Sequence, residues 1–568
     1  MFTKTITIPV LKHVEDMRTS FSPSEKWAFY ILAILLMLSA FALMHRVYVN
    51  ATVLVPEPGG KITEGVIGAP RFVNPVLAIS QTDKDLSKLI YAGLMTRDAT
   101  GTLVPELAES YSISDDALVY TFILRDNLSF HDGTPLTSDD VLFTIEKAMQ
   151  PGIKSPERAN WEGVTIEQVD ARTITFTLTK PYAQFLQNTL LGILPQEHWG
   201  ELSADEFIFS KLNTTPIGSG PYQFVSAVHS ASGIPSSFRL ARYSDYVRGT
   251  PYIKKFTMNF YSNKDALENA LQSGNITSMS EVSPHSVDSL LAESTHKVLV
   301  ATLPRIFAVF FNQSHSEVLE YKVVRNVLRD VIDKEQLITT ILNGYGESID
   351  SVLLPDTNKD TDTNVLSIAD GKAQLEKAGW ELNDEDGVYY KGELPLAFTL
   401  TTANSAELKD MATSVAATWA KLGAQVKVEV FEPGNLTQSV LRSREYDALL
   451  FGEIVGTEPD LYAFWHSSQR NDPGLNIANY TNSTVDSLLI KARKTVDSAA
   501  RAEVYSTVAD TIDADAPAVF LYAPNYIYIT DKDIRGIALA QSLEPHERFA
   551  NVHLWHIDTK RAWHFLAK

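Results

Sequence analysis

Cysteine is absent from all 568 residues of the chain. This absence excludes disulfide bonds, a thiol nucleophile, a cysteine-ligated metal cluster and a lipid-modified cysteine near the N-terminus. Basic residues are also scarce, because 49 Lys and Arg stand against 69 Asp and Glu and leave a formal net charge of −20. Phosphate backbones are bound by clustered Lys and Arg, so this balance argues against a nucleic-acid partner.

The sequence motifs of several enzyme classes are missing as well. The chain has no Gly-x-Ser-x-Gly motif, no His-Glu-x-x-His motif and no phosphate-binding loop. A strand over 552–557 would point His553 and His556 to opposite faces, so they could not share a metal locally. We therefore predict no catalytic residue, no metal site, no cofactor and surface or packing roles for the C-terminal histidines, which are His546, His553, His556 and His564.

The rest of the composition is typical of a folded protein. Hydrophobic residues make up 45% of the chain and aromatic residues 10%, enough to bury a substantial core. The length predicts roughly three or four domains.

One uncharged, strongly apolar run lies near the N-terminus, at residues 27–44. Its length is at the short end of what crosses a hydrocarbon core of ~30 Å. Four Lys or Arg residues precede the run and a single Arg follows it closely, which favours an N-terminus on the inside. We therefore predict a cytoplasmic tail at 1–26 and one transmembrane helix at 27–46. The C-terminal body then lies on the extracytoplasmic side of the cell membrane.

The same run has two alternative interpretations. A cleaved signal peptide is possible, because small or tolerated residues stand at Ala40 and Ala42, and again at Val49 and Ala51. A buried core helix is disfavoured, since an extended Pro/Gly tether is predicted to follow at 47–60. The preceding region is long and the run exceeds a typical signal core, so an uncleaved anchor is favoured.

Residues 107–141 predict a hairpin that leads into a capped helix. Side chains alternate between two faces over 118–124, an Asp-Gly turn follows, and Thr137 with Asp140 forms a capping-box pattern. A second half-buried strand is predicted at 172–180, where Thr alternates with apolar residues.

Other segments predict an α/β body. A first strand is expected at 61–69, a helix at 83–93, and a second amphipathic helix around Val324 to Val331. Residues 394–431 have the pattern of a strand, a helix ended by Gly423 and a second strand, which predicts a parallel pair.

The segment 107–141 resembles the signature of the bacterial extracellular solute-binding proteins, family 5. That family comprises the peptide, dipeptide, nickel and haem receptors of ABC importers. Other motifs resemble this family in the same order along the chain, and they are RFVNPV at 71–76, KLIYAGLM at 88–95, IGSGPY at 217–222, FN at 311–312, YKVVRNVL at 321–328, LEKAGW at 375–380 and NVHLW at 551–555, the last as a closing strand.

The resemblance implies an α/β, two-lobed periplasmic-binding-protein-like fold with an extra inserted subdomain. Hinge closure would bury a peptide or peptide-like solute and create a state that ABC permease subunits distinguish, without catalysis. A monomer is expected. The implied parts are lobe 1 at 61–96, 215–304 and 530–568, an inserted subdomain at 97–214, and lobe 2 at 305–529.

The ligand region matches the family only in part. In peptide-binding relatives, an Asp three residues before an acidic-Pro element pairs with the peptide ammonium. Within FGEIVGTEPD at 451–460, Glu458 matches the acidic residue and Val455 therefore takes the place of that Asp. A buried ammonium without a counter-charge costs several kcal/mol, so the usual contact is not expected. Glu453 or Glu458 could supply the missing counter-charge if its side chain points into the cleft. Otherwise Glu453 faces solvent and Glu458 caps a turn.

The backbone of 452–455 offers another contact. If it forms an exposed strand edge, an extended peptide can pair with it by strand addition. Residues on the facing wall and one aromatic pocket complete the predicted ligand-binding set, which is Ser80, Gln81, Thr82, Tyr222, Gly452, Glu453, Ile454, Val455, Glu458 and Trp465.

Three functions follow from these observations. The favoured one is a membrane-anchored receptor that captures oligopeptides or similar extended solutes for an ABC permease. The alternatives are an extracytoplasmic peptide-modifying enzyme and a non-transport sensory or scaffold protein, both on the same fold.

Overall fold

The structure is a computed structural model, and it describes residues 22–292, 295–354, 365–456, 460–540 and 544–563. The chain divides into two compact units. The first comprises Met1–Pro58 with His556–Lys568, and the second comprises Gly59–Trp555.

The α-helices in the described part are numbered in chain order: α1 (Pro23–Ala51), α2 (Gln81–Ile90), α3 (Ser138–Met149), α4 (Phe185–Asn188), α5 (Gln196–Trp199), α6 (Ala204–Phe209), α7 (Lys264–Gln272), α8 (Val287–Leu291), α9 (Lys322–Asp330), α10 (Lys334–Ile341), α11 (Ile368–Lys377), α12 (Ala406–Leu422), α13 (Pro433–Asn435), α14 (Tyr462–Trp465), α15 (Ser483–Lys494) and α16 (Ser498–Asp515).

The strands are β1 (Thr52–Pro56), β2 (Gly59–Ile67), β3 (Met95–Arg97), β4 (Leu103–Pro105), β5 (Ala108–Ile113), β6 (Val119–Leu124), β7 (Val164–Gln168), β8 (Thr173–Leu178), β9 (Tyr222–His229), β10 (Pro235–Arg242), β11 (Ile253–Tyr261), β12 (Ser278–Met279), β13 (His296–Thr302), β14 (Arg305–Phe311), β15 (Gly346–Ser348), β16 (Glu381–Leu382), β17 (Tyr389–Lys391), β18 (Leu394–Pro395), β19 (Ala397–Ala403), β20 (Gln425–Phe431), β21 (Ala448–Ile454), β22 (Ala518–Asp531) and β23 (Thr559–Trp563).

The apolar N-terminal run forms α1, which is longer than the predicted 27–46. Ser22 caps it, and Glu25 completes a capping box by accepting from the Ser22 N–H. The helix has 29 residues, so it is about 43 Å long at 1.5 Å per residue. Its apolar window has a mean hydropathy of 2.3 and no buried residue. Length and composition suffice to cross a membrane, and a signal sequence would pass the same test.

The predicted tether at 47–60 is wrong, because regular structure continues through most of it. Helix α1 runs to Ala51, and β1 then pairs antiparallel with β23. The ring of Trp563 lies edge-on to Tyr48 with centroids 6.1 Å apart. Pro56 is tolerated because it ends a strand in a two-stranded sheet. The pairing also places 556–568 in the first unit, whereas the sequence assigned these residues to lobe 1.

A single mixed sheet organises the second unit. Its strands follow the order β20, β19, β21, β14, β22, β12, β2, β11, β10, β9, and β13 and β15 also pair with β22. The first part of β22 pairs with β14 and its last seven residues pair with β13. The 14-residue strand β22 therefore connects the part of the sheet that contains β14 with the part that contains β13.

Two apolar cores cover opposite faces of the half that contains β21. Leu450 packs with helices α9 to α12, and the neighbouring Leu449 packs with α15 and α16 on the other face. Because successive strand residues point to opposite faces, β21 contributes to both cores. A third core holds α7 and α8 against the other end of β22.

The strand predicted at 118–124 is β6, and it belongs to a separate four-stranded sheet in the order β5, β6, β8, β7. The capping box at the start of α3 is confirmed, since Thr137 N–H donates to Asp140 over 2.9 Å. The alternation in β8 is also confirmed, because Ile174 and Phe176 are buried while Thr177 is exposed. The sheet and α3 bury their apolar faces together.

His131, in the turn that precedes α3, bonds the segment that leads into β9. Its Nε2 lies 3.0 Å from the carbonyl of Gly220, and Gly218 N–H donates to its Nδ1 over 3.3 Å. Burial lowers the pKa of His131 to about 4, so the neutral ring makes both bonds at neutral pH. The two glycines also lie against the end of α2, where a side chain at Gly220 would meet Ile90 backbone at 2.7 Å.

The predicted strand, helix and strand over 394–431 are confirmed as β19, α12 and β20. The two strands are parallel, and Gly423 ends the helix with a left-handed φ of 101°. The expected closing strand at 551–555 is wrong. Val552–Leu554 forms a tight 3₁₀ turn, closed by the bond from Trp555 N–H to the Val552 carbonyl over 3.1 Å, and the neighbouring residues Val552 and His553 are both buried, whereas a half-buried strand would alternate.

Candidate functional site

A cavity of about 420 Å³ lies within the second unit. Its walls come from α2, from 182–192, from the short helix Pro545–Phe549 and from the segment after β21. The polar and charged residues that line it include Lys84, Lys88, Arg97, Glu157, Asn160, Gln184, Gln187, Asp460, Glu544, His546 and Glu547, and Gly456 lines it as well. Its volume is within the usual range for small-ligand sites.

Two hydrogen bonds cross beside this cavity. Ala183 N–H donates to the carbonyl of Arg493 over 3.0 Å, and Gln184 Nε2 donates to the hydroxyl of Tyr505 over 3.3 Å. The donors, Ala183 and Gln184, belong to the segment after β8. The acceptors, Arg493 and Tyr505, belong to α15 and α16. The cavity is therefore bridged at one end by polar contacts between sequence-distant elements.

Asp460 is neutralised by a close partner. Arg493 donates to both of its carboxylate oxygens at 2.6–3.0 Å. The same guanidinium lies 3.9 Å from the ring centroid of Tyr462. This bidentate and stacked geometry fixes the segment after β21 against α15.

Arg97 and Glu547 form a second pair on the opposite wall. Arg97 Nε donates to Glu547 Oε1 over 2.6 Å, and Nη1 donates to the carbonyl of Gly101 over 2.7 Å. Nη2 bonds Gln187. Both side chains of the pair are buried, so their charges cancel within the wall.

The remaining charged groups of the cavity form no such close ion pair with any described residue. Lys88 Nζ donates to Thr96 Oγ1 over 2.9 Å, and Asn160 donates to Glu157 over 2.7 Å. Burial raises the pKa of both Glu157 and Glu544. Burial and nearby cations, with Lys84 and Lys88 the largest of these, lower the pKa of His546 to about 3, so its ring is neutral.

Strand β21 presents an open edge next to the cavity. Val455 N–H donates to Pro304 on the β14 side, and by antiparallel alternation Gly452 and Ile454 direct their backbone groups the other way. On that side β19 pairs only as far as Leu450. Over the described residues no strand pairs with the edge beyond that point. The predicted edge at Gly452 is thus present, and the chain continues from it to Gly456 at the cavity wall.

The predicted residues of the first loop cap α2. Ser80 accepts from Asp83 N–H and donates to the Asp83 carboxylate over 2.7 Å. Gln81 donates to Asp85 over 2.7 Å. Thr82 is buried and donates to the carbonyl of Ile67 over 2.9 Å. These bonds use the side chains to hold the start of the helix.

The two predicted aromatic contacts lie in apolar cores. Tyr222 is fully buried, donates to the carbonyl of Ile253 over 3.2 Å and packs on Phe256. Trp465 is 1% exposed and packs on Phe520. Each ring fills space between a helix or turn and a strand, which the sequence pattern alone does not distinguish from a pocket wall.

The side chains of Glu453 and Val455 are buried and project from the same sheet face as Leu449, toward the apolar core that Leu449 and Val455 share. Glu453 is 5% exposed, and its Oε1 has no hydrogen-bond partner among the described residues. Burial raises its pKa well above the usual range, which favours the protonated, neutral form of the side chain. Glu458 lies outside the described residues.

Sequence reasoning missed several cavity residues. Lys84 and Lys88 are four apart on a predicted helix, a spacing that places them on one face. Glu157 lies about 70 residues further along the chain, and Glu544 and His546 lie more than 450 residues further, so no local pattern connects them with α2. Only the tertiary fold brings them together.

The chain was compared with known families and relatives. Residues 102–474 match the family described as "Bacterial extracellular solute-binding proteins, family 5 Middle". The oligopeptide-binding protein AppA of Bacillus subtilis (strain 168) is 27% identical over 512 residues, which cover 88% of this chain and 92% of AppA.

Solved structures of solute-binding proteins also match the chain over most of its length. The substrate-binding protein CtaP of Listeria monocytogenes matches with a TM-score of 0.75 and 27% identity over 88% of this chain and 100% of CtaP. AppA of Bacillus subtilis in complex with a nonapeptide matches with a TM-score of 0.67 and 26% identity over 89% of this chain and 100% of AppA. The fold is therefore the two-lobed α/β periplasmic-binding-protein fold, and the family's members bind solutes without catalysis. The chain belongs to the bacterial extracellular solute-binding proteins, family 5, and is the extracytoplasmic solute-binding component of an ABC importer for peptides or similar solutes.

Proposed function

We propose that this chain is a membrane-anchored receptor that captures oligopeptides or similar extended solutes by hinge closure and delivers them to an ABC permease. The observation that carries the proposal is the open edge of β21 at Gly452 and Ile454, which leads to the cavity at Gly456. An unpaired edge binds extended backbones of many sequences, because the contacts are main-chain hydrogen bonds. The similarity to AppA, an oligopeptide-binding protein whose structure is known in complex with a nonapeptide, supports a peptide ligand.

The closing parts follow the division inferred from sequence. Residues 61–96, 215–304 and the stretch from 530 would form lobe 1, 97–214 its inserted subdomain, and 305–529 lobe 2. Strand β22 supports this division, because it pairs with strands of both proposed lobes. Bonds such as that between Gln184 and Tyr505 would then form on closure and break on opening.

The ligand-binding residues proposed from sequence fall into two groups. Gly452 and Ile454 would bond the peptide backbone, and Ser80 and Gln81 would border the site at the start of α2. Thr82, Tyr222, Glu453, Val455 and Trp465 would act indirectly, by holding the walls in place. Since Val455 is apolar and buried, the peptide ammonium would not be bound at that position.

Native mass spectrometry of the full-length chain, purified in detergent, tests the function. Co-purifying peptides that dissociate on activation are the expected result. An empty protein whose thermal stability no peptide library changes would contradict the proposal and favour a sensory or scaffold role. Cleavage or modification of the library by the chain would favour an enzyme instead.

The anchor is tested by intact mass. We expect the chain in the membrane fraction to retain residues 1–51. Helix α1 supports retention, because it continues without a break to Ala51 and is followed directly by a paired strand. Variants with Ala42→Leu or Ala51→Leu would block a signal peptidase. An uncleaved chain keeps the same N-terminus in all three proteins, whereas a longer product only in a blocked variant would show a signal peptide.

A further inference from the structure

The cavity contains more charge than its internal pairs neutralise. Among the described residues that line it are three cationic and four carboxylate side chains, and they are Lys84, Lys88, Arg97, Glu157, Asp460, Glu544 and Glu547. Arg97 pairs with Glu547 and Arg493 pairs with Asp460, each at 2.6 Å. The other four side chains form no ion pair within 4 Å in the described part of the chain.

The two unpaired cations lie together. Lys84 and Lys88 are one helical turn apart on α2, so they share the face that borders the cavity. Lys88 bonds a threonine hydroxyl, and the Lys84 ammonium has no hydrogen-bond partner among the described residues. Both are half-buried. An ammonium in this position gains most from an anionic partner, because water competes less there.

His546 adds a hydrogen-bonding group to the same place. Its Nδ1 is buried and has no partner in the described part of the structure. The ring lines the cavity and lies close enough to Lys84 and Lys88 for their charges to disfavour its protonation. A neutral imidazole has one N–H donor, which a ligand oxygen can accept from.

Glu157 and Glu544 lie near the same lysines, since burial raises the pKa of both carboxyls and the charge of Lys84 opposes that rise. Asn160 donates to Glu157, and the Glu544 backbone N–H donates to Glu547. Neither carboxylate is within 4 Å of a lysine in the described residues, so the lysines keep their donors free for a ligand. An incoming carboxylate would find two ammonium groups and an imidazole without breaking an existing ion pair.

We propose that Lys84, Lys88 and His546 form a subsite that binds a carboxylate of the captured solute. This inference rests on the proposed function and names the chemical class of one end of the ligand. The carboxylate can belong to the C-terminus of a peptide or to an acidic side chain, since both present the same pair of oxygens. The subsite lies on the wall opposite Asp460 and is separate from the strand edge.

The test uses three tripeptide libraries with the full-length chain in detergent and native mass spectrometry as the readout. The first library has free C-terminal acids and no Asp or Glu, the second is its C-terminal amide, and the third is the amide with one Glu in each peptide. We expect retention of the acid library roughly tenfold or more above the amide library. Retention of the third library would identify a side-chain carboxylate as the bound group.

Variants then assign the effect to residues. Lys84→Gln is expected to lower retention of the acids several-fold more than retention of the amides, and Lys84→Arg is expected to restore the preference for acids. Lys421→Gln serves as the control, because Lys421 is an exposed lysine on α12 outside the cavity. Equal retention of all three libraries by the wild type, or equal loss of carboxylate-bearing and carboxylate-free peptides in Lys84→Gln, overturns the subsite. If the wild type retains no peptide from any library, the proposed function falls as well.

Discussion

The amide of Val455 donates to the carbonyl of Pro304 over 2.9 Å. This one bond fixes the direction of every backbone group in β21, because alternate residues of an antiparallel strand bond to opposite sides. Val455 itself therefore faces β14, and Ile454 faces the edge that β19 leaves unpaired.

The first prediction tests this edge with Ile454→Pro. The side chain of Ile454 is 56% exposed, so the ring of proline displaces little, and the lost N–H is one that points to the open edge. We expect peptide affinity, measured by isothermal titration calorimetry, to fall by about tenfold, the effect of one lost main-chain bond at ~1–1.5 kcal/mol.

Ile454→Thr is the matched control, because it keeps the amide and suits a strand. Gly452→Pro removes an amide too, but a side chain there would meet the ring of Phe307 at 2.7 Å. Equal affinities in Ile454→Pro and Ile454→Thr would rule out strand addition at this edge.

The second prediction concerns Gly220→Ala. A methyl group at this position would lie 2.7–2.8 Å from backbone atoms of Ile90 and Tyr91, and backbone at the end of α2 has little room to move. We expect a loss of about 1–3 kcal/mol or more in the free energy of unfolding. Ser219→Ala is the control. Ser219 lies between Gly218 and Gly220, and the change removes a buried hydroxyl that has no partner among the described residues. Its stability in urea should stay near that of the wild type, and a similar loss in both variants would refute the steric argument.

Local patterns in the sequence predicted elements well and distant partners poorly. The capping box of Thr137 and the parallel strands around α12 involve residues close in sequence, so spacing was sufficient. The tether at 47–60 was misjudged because the partner of β1 lies about 500 residues later, in β23. The full burial of Tyr222 was not predictable for a related reason, since the sequence does not reveal that Phe256 covers its ring.

The cavity shows the same limit. The open edge at Ile454 was predictable from the family resemblance, because it follows from one short segment. The subsite around Lys84 was not, because His546 reaches α2 only through the folding of the whole second unit. Charge complementarity in a cavity depends on which groups remain unpaired, and pairing is a tertiary property.

The third prediction concerns the pH dependence of Glu453. Burial raises its pKa in the folded protein, whereas the unfolded chain ionises near 4.5. The folded state therefore holds a proton that the unfolded state releases, and stability is lost as the pH rises from about 4.5 toward the raised pKa. Glu453→Gln has no charge to lose at any pH, so its advantage over the wild type should grow with pH.

Urea denaturation at pH 4.5, 6 and 8 measures that advantage. We expect little difference at pH 4.5 and a gain of on the order of 1–3 kcal/mol for Glu453→Gln at pH 8. Asp386→Asn is the control, because that carboxylate is exposed and its pKa is lowered by hydrogen bonds. A destabilised Glu453→Gln at pH 8 would mean that the carboxylate is ionised and needed by the fold.

The last prediction concerns Arg548, whose guanidinium is fully buried between two carboxylates. It donates to Glu64 at 3.1 Å and to Asp85 over 2.9 Å, and Tyr528 donates to Glu64 at 2.7 Å. These residues come from β2, α2, the helix before the C-terminal turn and β22, so the network ties together the wall that carries Lys84. Removing the cation leaves two buried acids without a counter-charge.

Arg548→Met should therefore lower the free energy of unfolding by about 3–5 kcal/mol. Replacing Asp85 and Glu64 by Asn and Gln in the same protein should recover part of the loss, because no buried acid then remains unpaired. Urea melts of the single, double and triple variants measure the coupling. An additive series would show that Arg548 stabilises the fold by packing, through its contact with the ring of Phe549 at 3.9 Å, and that its charge contributes little.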